Sequence, residues 1–204
     1  MKLVKVKFCG ISHVQDAITA EKLGADFIGV VADTVSPRYV KHEFVKILKN
    51  HVTKPVVIVK VNGTIQRILN EGKEADIIQI HRVLSEIEIE ELLSSSIKNL
   101  ILYVPASREF EGYFRLVISR TNYMILLDKN PQNRLDLSIA EKWLKEYYKT
   151  GIGGGITPQN VREYLYLDPY WIDISSGIET YKGKKDSSKM ALILKEVREW
   201  KYTR

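Results

Sequence analysis

The chain has 204 residues, 45% hydrophobic and 27% charged, with a formal net charge of +6. That length suits one domain with a sizeable core, and no stretch approaches the roughly 18 uninterrupted apolar residues of a membrane span. A single cysteine excludes an intramolecular disulfide and a cysteine-rich zinc site. His13, His42, His51 and His81 include no i, i+4 pair, so neither a metal nor a cofactor is expected.

The charge and a pI of about 9.2 admit two partners, nucleic acid or a small anion. Lys and Arg are scattered among Glu and Asp rather than clustered, which favours the small anion and argues against nucleic acid. The first residues, Met1 to Lys7, alternate charged and apolar side chains. They read as a strand and not as a leader, so the expected location is the cytoplasm.

Short apolar runs alternate with helical patterns along the whole chain. The first run is Leu3 to Phe8. Ser12 then reads as a helix cap with Gln15 as its capping-box partner, and Gly24 is placed to end that helix. The second run, Phe27 to Val31, precedes a helical pattern from His42 to Asn50. Val56 to Val61 precedes a helix from Thr64 to Glu71, and Asp76 to Ile80 precedes one from Ser85 to Leu93. The fifth run is Leu100 to Val104, followed by a segment of unclear pattern, Arg108 to Ser119. Tyr123 to Leu127 leads to a helix from Ser138 to Tyr148, and Gly151 to Gly153 to one from Pro158 to Tyr166. Trp171 to Ile174 is followed by a last helix from Ser187 to Trp200. Eight such units with no linker predict an α/β fold: residues 1–204 as one (β/α)₈ barrel with eight parallel strands. An open doubly wound sheet is the structural rival.

In a barrel the reacting groups sit just after the strands. The residues there are Cys9-Gly10, Ser36-Pro37-Arg38, Asn62-Gly63, His81, Asp128, Gly153-Gly154-Gly155 and Ser175-Ser176-Gly177. Gly153-Gly154-Gly155-Ile156-Thr157-Pro158 reads as a glycine turn entering a helix, with Thr157 as cap and Pro158 in the first turn. Such turns bring backbone N–H groups close to an anion. With Ser175-Ser176-Gly177 one strand later, Gly154, Gly155, Ser175, Ser176 and Gly177 are candidate phosphate ligands; taken singly, the same glycines would only make tight turns.

Cys9 is either an inert buried thiol or a base. The second role needs a helix N-terminus or a cation to lower its pKa. Asp128 is either a cap or a general acid raised by burial. Arg38 suits bidentate capture of a carboxylate or phosphate, or stands as a solvated loop side chain. His81 and Asn62 read as pocket-lining polar groups.

Taken in order, several segments resemble the phosphoribosylanthranilate isomerases of tryptophan biosynthesis. They are Lys7-Phe8-Cys9-Gly10-Ile11, Gly24-Ala25-Asp26-Phe27-Ile28-Gly29, Ser36-Pro37-Arg38-Tyr39 and Gln79-Ile80-His81. The rest are Leu126-Leu127-Asp128, Gly154 to Val161, Asp173 to Glu179 and Gly183 to Asp186. The resemblance implies a cofactor-free Amadori rearrangement of N-(5-phosphoribosyl)anthranilate to its 1-deoxyribulose 5-phosphate derivative. It assigns Cys9 as base, Asp128 as acid and Arg38 as ligand of the anthranilate carboxylate, with the two glycine turns holding phosphate. The substrate is thus a small phosphorylated molecule, and the enzyme a monomer or a homodimer.

The chain departs from the family pattern after Asp128. Lys129 to Asp136 stands where a glycine-rich stretch is usual, and Arg82 follows His81 where glycine is usual. The rival readings are a histidine-pathway Amadori barrel, a catalytically silent barrel, and a basic nucleic-acid-binding protein. The first uses an aspartate pair, whereas here Cys9 stands at the first strand end.

Overall fold

The computed structural model describes residues 4–200; Leu3, the expected start of the first strand, lies outside them. Eight strands close into a parallel barrel in chain order. They are β1 (Lys5–Phe8), β2 (Phe27–Val31), β3 (Val56–Lys60), β4 (Ile77–Ile80), β5 (Leu100–Pro105), β6 (Met124–Asp128), β7 (Thr150–Ile152) and β8 (Trp171–Ile174). The helices between and after them are α1 (Val14–Leu23), α2 (Phe44–Lys49), α3 (Ile65–Gly72), α4 (Glu86–Ser94), α5 (Glu111–Arg120), α6 (Leu137–Glu146), α7 (Val161–Leu165) and α8 (Ser187–Trp200). The closed barrel excludes the open sheet. Among the described residues, no helix is long and apolar enough to cross a membrane.

The strands are short, apolar and rich in Val and Ile, as expected of strands covered on both faces. Outward side chains such as Ile28, Val30, Ile58 and Leu102 pack beneath the helices in one continuous core. Inward side chains form a second, smaller core of Phe27, Val57, Ile101, Leu126 and Trp171. Each such buried side chain contributes roughly 1.5–3 kcal/mol.

Local signals set several boundaries. Gly24 adopts φ 107° and its N–H caps the carbonyls of Ala20 and Glu21, ending α1 as the sequence predicts. Ser85 and Glu88 form a reciprocal capping box on α4. The unclear segment before β6 is a short 3₁₀ turn, Arg108–Phe110, running into α5.

Two caps fall elsewhere. Helix α1 starts after His13, and the Ser12 hydroxyl donates to the Gly183 carbonyl (2.7 Å) rather than accepting from the helix. Thr157 does not cap α7; the turn from Thr157 is closed by Asn160, whose Oδ1 accepts from the Thr157 N–H at 2.7 Å. In both cases a tertiary partner or an intervening turn competes with the cap. The sequence reading also lacked a hairpin between β8 and α8, formed by β9 (Glu179–Tyr181) and β10 (Lys184–Lys185).

Candidate active site

The inward positions change from apolar to polar toward the C-terminal end of the strands. Above the Trp171 layer lie Lys7, Gln79 and Asp173, and above these Cys9 with Val31 and Val59. Lys7 on β1 and Asp173 on β8 are direct register partners. The Lys7 ammonium, fully buried, donates to Asp173 Oδ1 at 3.0 Å and Oδ2 at 3.2 Å, and to Gln79 Oε1 at 2.9 Å. A buried charge needs such partners to stay ionised, and Asp173 and Cys9 together hold the ammonium charged. His81 sits on the same axis, with its ring 4.4 Å from that of Tyr103 and its Nδ1 3.2 Å from Gln79 Nε2. Burial pushes His81 down to about 4, so the imidazole is neutral at pH 7.

Cys9 ends β1. Its N–H donates to the Ile174 carbonyl at 2.8 Å, which ties it to β8. Burial pushes its thiol up, and the Lys7 ammonium pulls against that. With α1 beginning after His13, the positive charge that acts most strongly on the thiol is this lysine. Asp128 ends β6. Burial raises its carboxyl, opposed by the Lys129 N–H, which donates to Oδ1 at 2.6 Å.

Asp128 lies against the glycine turn that follows β7. A Cβ on Gly153 would come within 3.0 Å of Asp128 Oδ2 and 3.4 Å of Asp173 Cβ; one on Gly154 would lie 2.8 Å from Asp128 Oδ1. Gly154 (φ 96°) and Gly155 (φ 103°) hold left-handed backbone that L side chains rarely adopt. The turn after β8 packs directly on this one, since a Cβ on Gly177 would sit 1.9 Å from the Ile156 carbonyl oxygen. The two glycine turns therefore form one continuous rim. Lys129 reaches over it, with Nζ 3.6 Å from the Cβ position of Gly155.

Arg38 folds over the start of the α1 loop, its Cδ 2.4 Å from the Cβ position of Gly10. It is held by Glu179 through Nε–Oε1 (2.6 Å) and Nη2–Oε2 (2.7 Å). Glu179 also accepts from Lys185 Nζ (3.0 Å) and the Gly183 N–H (3.1 Å). These donors hold its carboxyl at about 2 against the upward pull of burial. Lys185 Nζ further donates to the Ser175 carbonyl at 3.0 Å. The hairpin missing from the sequence reading thus links Arg38 to the second glycine turn.

Asn62 lies apart from His81. Its side chain donates to Asp33 Oδ1 at 3.1 Å and lines a recess of about 320 Å³ with Lys60, Arg67 and Glu71. Lys7, Gln79, Asp173, Glu179 and Lys185 were not singled out from the sequence. Lys7 and Asp173 are charged residues inside strand runs, a departure from apolar patterning that could have marked them. Among the described residues no three His, Cys, Asp or Glu side chains converge as a metal cluster.

A closed (β/α)₈ barrel with a polar, titratable mouth beside a glycine rim defines a class of barrel enzymes. Within it, residues 6–196 match the family model described as N-(5'phosphoribosyl)anthranilate (PRA) isomerase. Among curated relatives, the N-(5'-phosphoribosyl)anthranilate isomerase of Sulfolobus acidocaldarius is 51% identical, covering 98% of this chain and 100% of the relative. That of Saccharolobus solfataricus is 41% identical over 96% and 97%. The Thermotoga maritima phosphoribosylanthranilate isomerase superposes with a TM-score of 0.83 at 27% identity, covering 96% and 99%. Another isomerase structure, in complex with reduced 1-(o-carboxyphenylamino)-1-deoxyribulose 5-phosphate, superposes with a TM-score of 0.82 at 26% identity over the same shares. The chain belongs to the phosphoribosylanthranilate isomerase family.

Proposed function

We propose that this protein isomerises N-(5'-phosphoribosyl)anthranilate to 1-(o-carboxyphenylamino)-1-deoxyribulose 5-phosphate, the Amadori step of tryptophan biosynthesis. The reading rests on family membership. Its chemistry is carried by one observation: a carboxyl raised by burial, Asp128, packs against a left-handed glycine turn suited to phosphate.

The Asp128 carboxyl donates its proton to the ring oxygen of the ribose. The C1–O bond breaks and the ring opens to a protonated Schiff base. Cys9, as thiolate, removes the proton from C2, and the resulting enolamine tautomerises to the C2 ketone with protonation at C1. One acid and one base near neutral pKa suffice for such a proton relay. The phosphate binds the rim of Gly154, Gly155, Ser175, Ser176 and Gly177, with Lys129 as a further cation beside it. Arg38 takes the anthranilate carboxylate. Of its five N–H donors, the Nε/Nη2 edge is held by Glu179, which leaves the Nη1/Nη2 edge for the carboxylate. Anchoring both ends of the substrate fixes the sugar between acid and base.

The test is turnover of freshly prepared phosphoribosylanthranilate, followed by loss of its fluorescence, in wild type, Cys9→Ser and Asp128→Asn. Turnover by wild type with a loss of about 10²-fold or more in kcat in each variant is expected. A folded wild type with no turnover refutes the activity; a variant with undiminished kcat refutes that residue's role.

A further inference from the structure

Cys9 poses a difficulty for its own role. A thiolate is the base, yet burial pushes this thiol toward its neutral form. The groups that face it come from several elements. Lys7 lies on β1, which Cys9 directly follows, Asp173 on β8, Lys185 on β10 and Arg38 in the loop after β2. Behind them, Gln79 on β4, His81 just after it and Asp128 on β6 act on Lys7 and Asp173. Of the cations, Arg38 and Lys185 both bind Glu179. Lys7, equally buried as Lys185, is the cation that does not bind Glu179, and it stands two residues before Cys9 on the same inward face.

Room for the pair is made by Gly29 on β2. A Cβ there would lie 2.9 Å from Lys7 Cε, 3.0 Å from Cys9 Sγ and 3.1 Å from Cys9 Cα. The lysine stem and the thiol thus close on the same space, and only the absence of a side chain at Gly29 leaves it open. Asp173, its register partner on β8, accepts from the ammonium with both oxygens, and Gln79 takes a further N–H. The ammonium is held in one place by three hydrogen bonds, one of them to the buried Gln79.

We propose that Lys7 is a positioning residue whose buried ammonium supports Cys9 as a thiolate base, with Asp173 fixing the lysine and moderating its effect. The proposal builds on the isomerase reading, in which Cys9 is the base, but it makes a claim about the thiol that needs no substrate. The two charges act on Cys9 with opposite sign: the ammonium favours the thiolate, and the Asp173 carboxylate disfavours it. A merely structural ion pair would not separate them, because losing either partner leaves the other unpaired in the same place.

Cys9 is the sole cysteine of the chain, so its titration can be read without ambiguity. The rate of alkylation by iodoacetamide is measured by mass spectrometry against pH for wild type, Lys7→Met, Asp173→Asn and the double variant, with Cys9→Ser as blank. Lys7→Met is expected to move the midpoint up by about 1–3 pH units, the range for losing an opposite charge at close quarters. Asp173→Asn is expected to move it down. The double variant removes both charges without leaving either unpaired, and it should lie above Asp173→Asn. If Lys7→Met does not fold, the comparison of the double variant with Asp173→Asn carries the same information. Midpoints that shift together in one direction, or that do not shift, overturn the proposal. Failure of wild type to turn over phosphoribosylanthranilate would instead overturn the isomerase reading and leave the alkylation result intact.

Discussion

Glu179 ties three parts of the mouth together, so its removal gives a sharp test of the electrostatics. In Glu179→Gln the carboxylate that binds Arg38, Lys185 and the Gly183 N–H is replaced by a neutral amide of the same shape. The wild-type carboxyl is held at about 2, against about 4.5 when free. At about 1.36 kcal/mol per pH unit, that difference corresponds to roughly 3 kcal/mol at pH 7. Solvent at the barrel rim screens the pair, which brings the working figure to roughly 1–2 kcal/mol. Because the folded value is depressed, this stabilisation is fully present above about pH 4.5 and is lost as pH falls through about 2. For a chain of this size the loss amounts to about 2–8 °C in Tm. Thermal melts of wild type and variant at pH 7 should differ by that amount, and the gap should close toward pH 2. The variant should also raise KM for phosphoribosylanthranilate several-fold, since Arg38 loses the partner that aims it. Equal melting curves at pH 7, or a gap unchanged at pH 2, would refute the argument.

Two further outcomes are expected. His81, held at about 4 in the fold against about 6.5 when free, takes up its proton more readily in the unfolded chain. Wild-type stability should therefore fall by up to roughly 3 kcal/mol as pH drops from 6.5 to 4; urea denaturation of His81→Asn should show a flatter profile there, and an identical slope would count against a neutral, half-buried imidazole. Gly177→Ala puts a methyl group where the Ile156 carbonyl oxygen lies 1.9 Å away, so the two glycine turns must separate. The variant should lose about 1–3 kcal/mol of stability and bind inorganic phosphate about tenfold more weakly; binding by isothermal titration equal to wild type would sink the shared-rim description.

Much of this molecule follows from local pattern. Phe27 to Val31 and Trp171 to Ile174 coincide with β2 and β8, and Ser187 to Trp200 with α8, because apolar runs and helical spacing depend on neighbours in sequence. Gly24 ended its helix for the same reason, and the order of strand-end residues put Cys9, Asp128 and the glycine turns at one end of the barrel. What the chain alone did not determine was which polar groups meet. Lys7 and Asp173 are 166 residues apart and become register partners only when β8 closes onto β1. Ser12 left its expected cap for the Gly183 carbonyl, 171 residues away. Arg38 met Glu179 across 141 residues through a hairpin with no strong sequence signal. Residue types and periodicity are local quantities, whereas desolvation and ion pairing depend on distance in space. The sequence by itself determined the eight strand–helix units and the kinds of residue at the strand ends; closure of the barrel excluded the open sheet and decided how buried each residue is and which charge it faces.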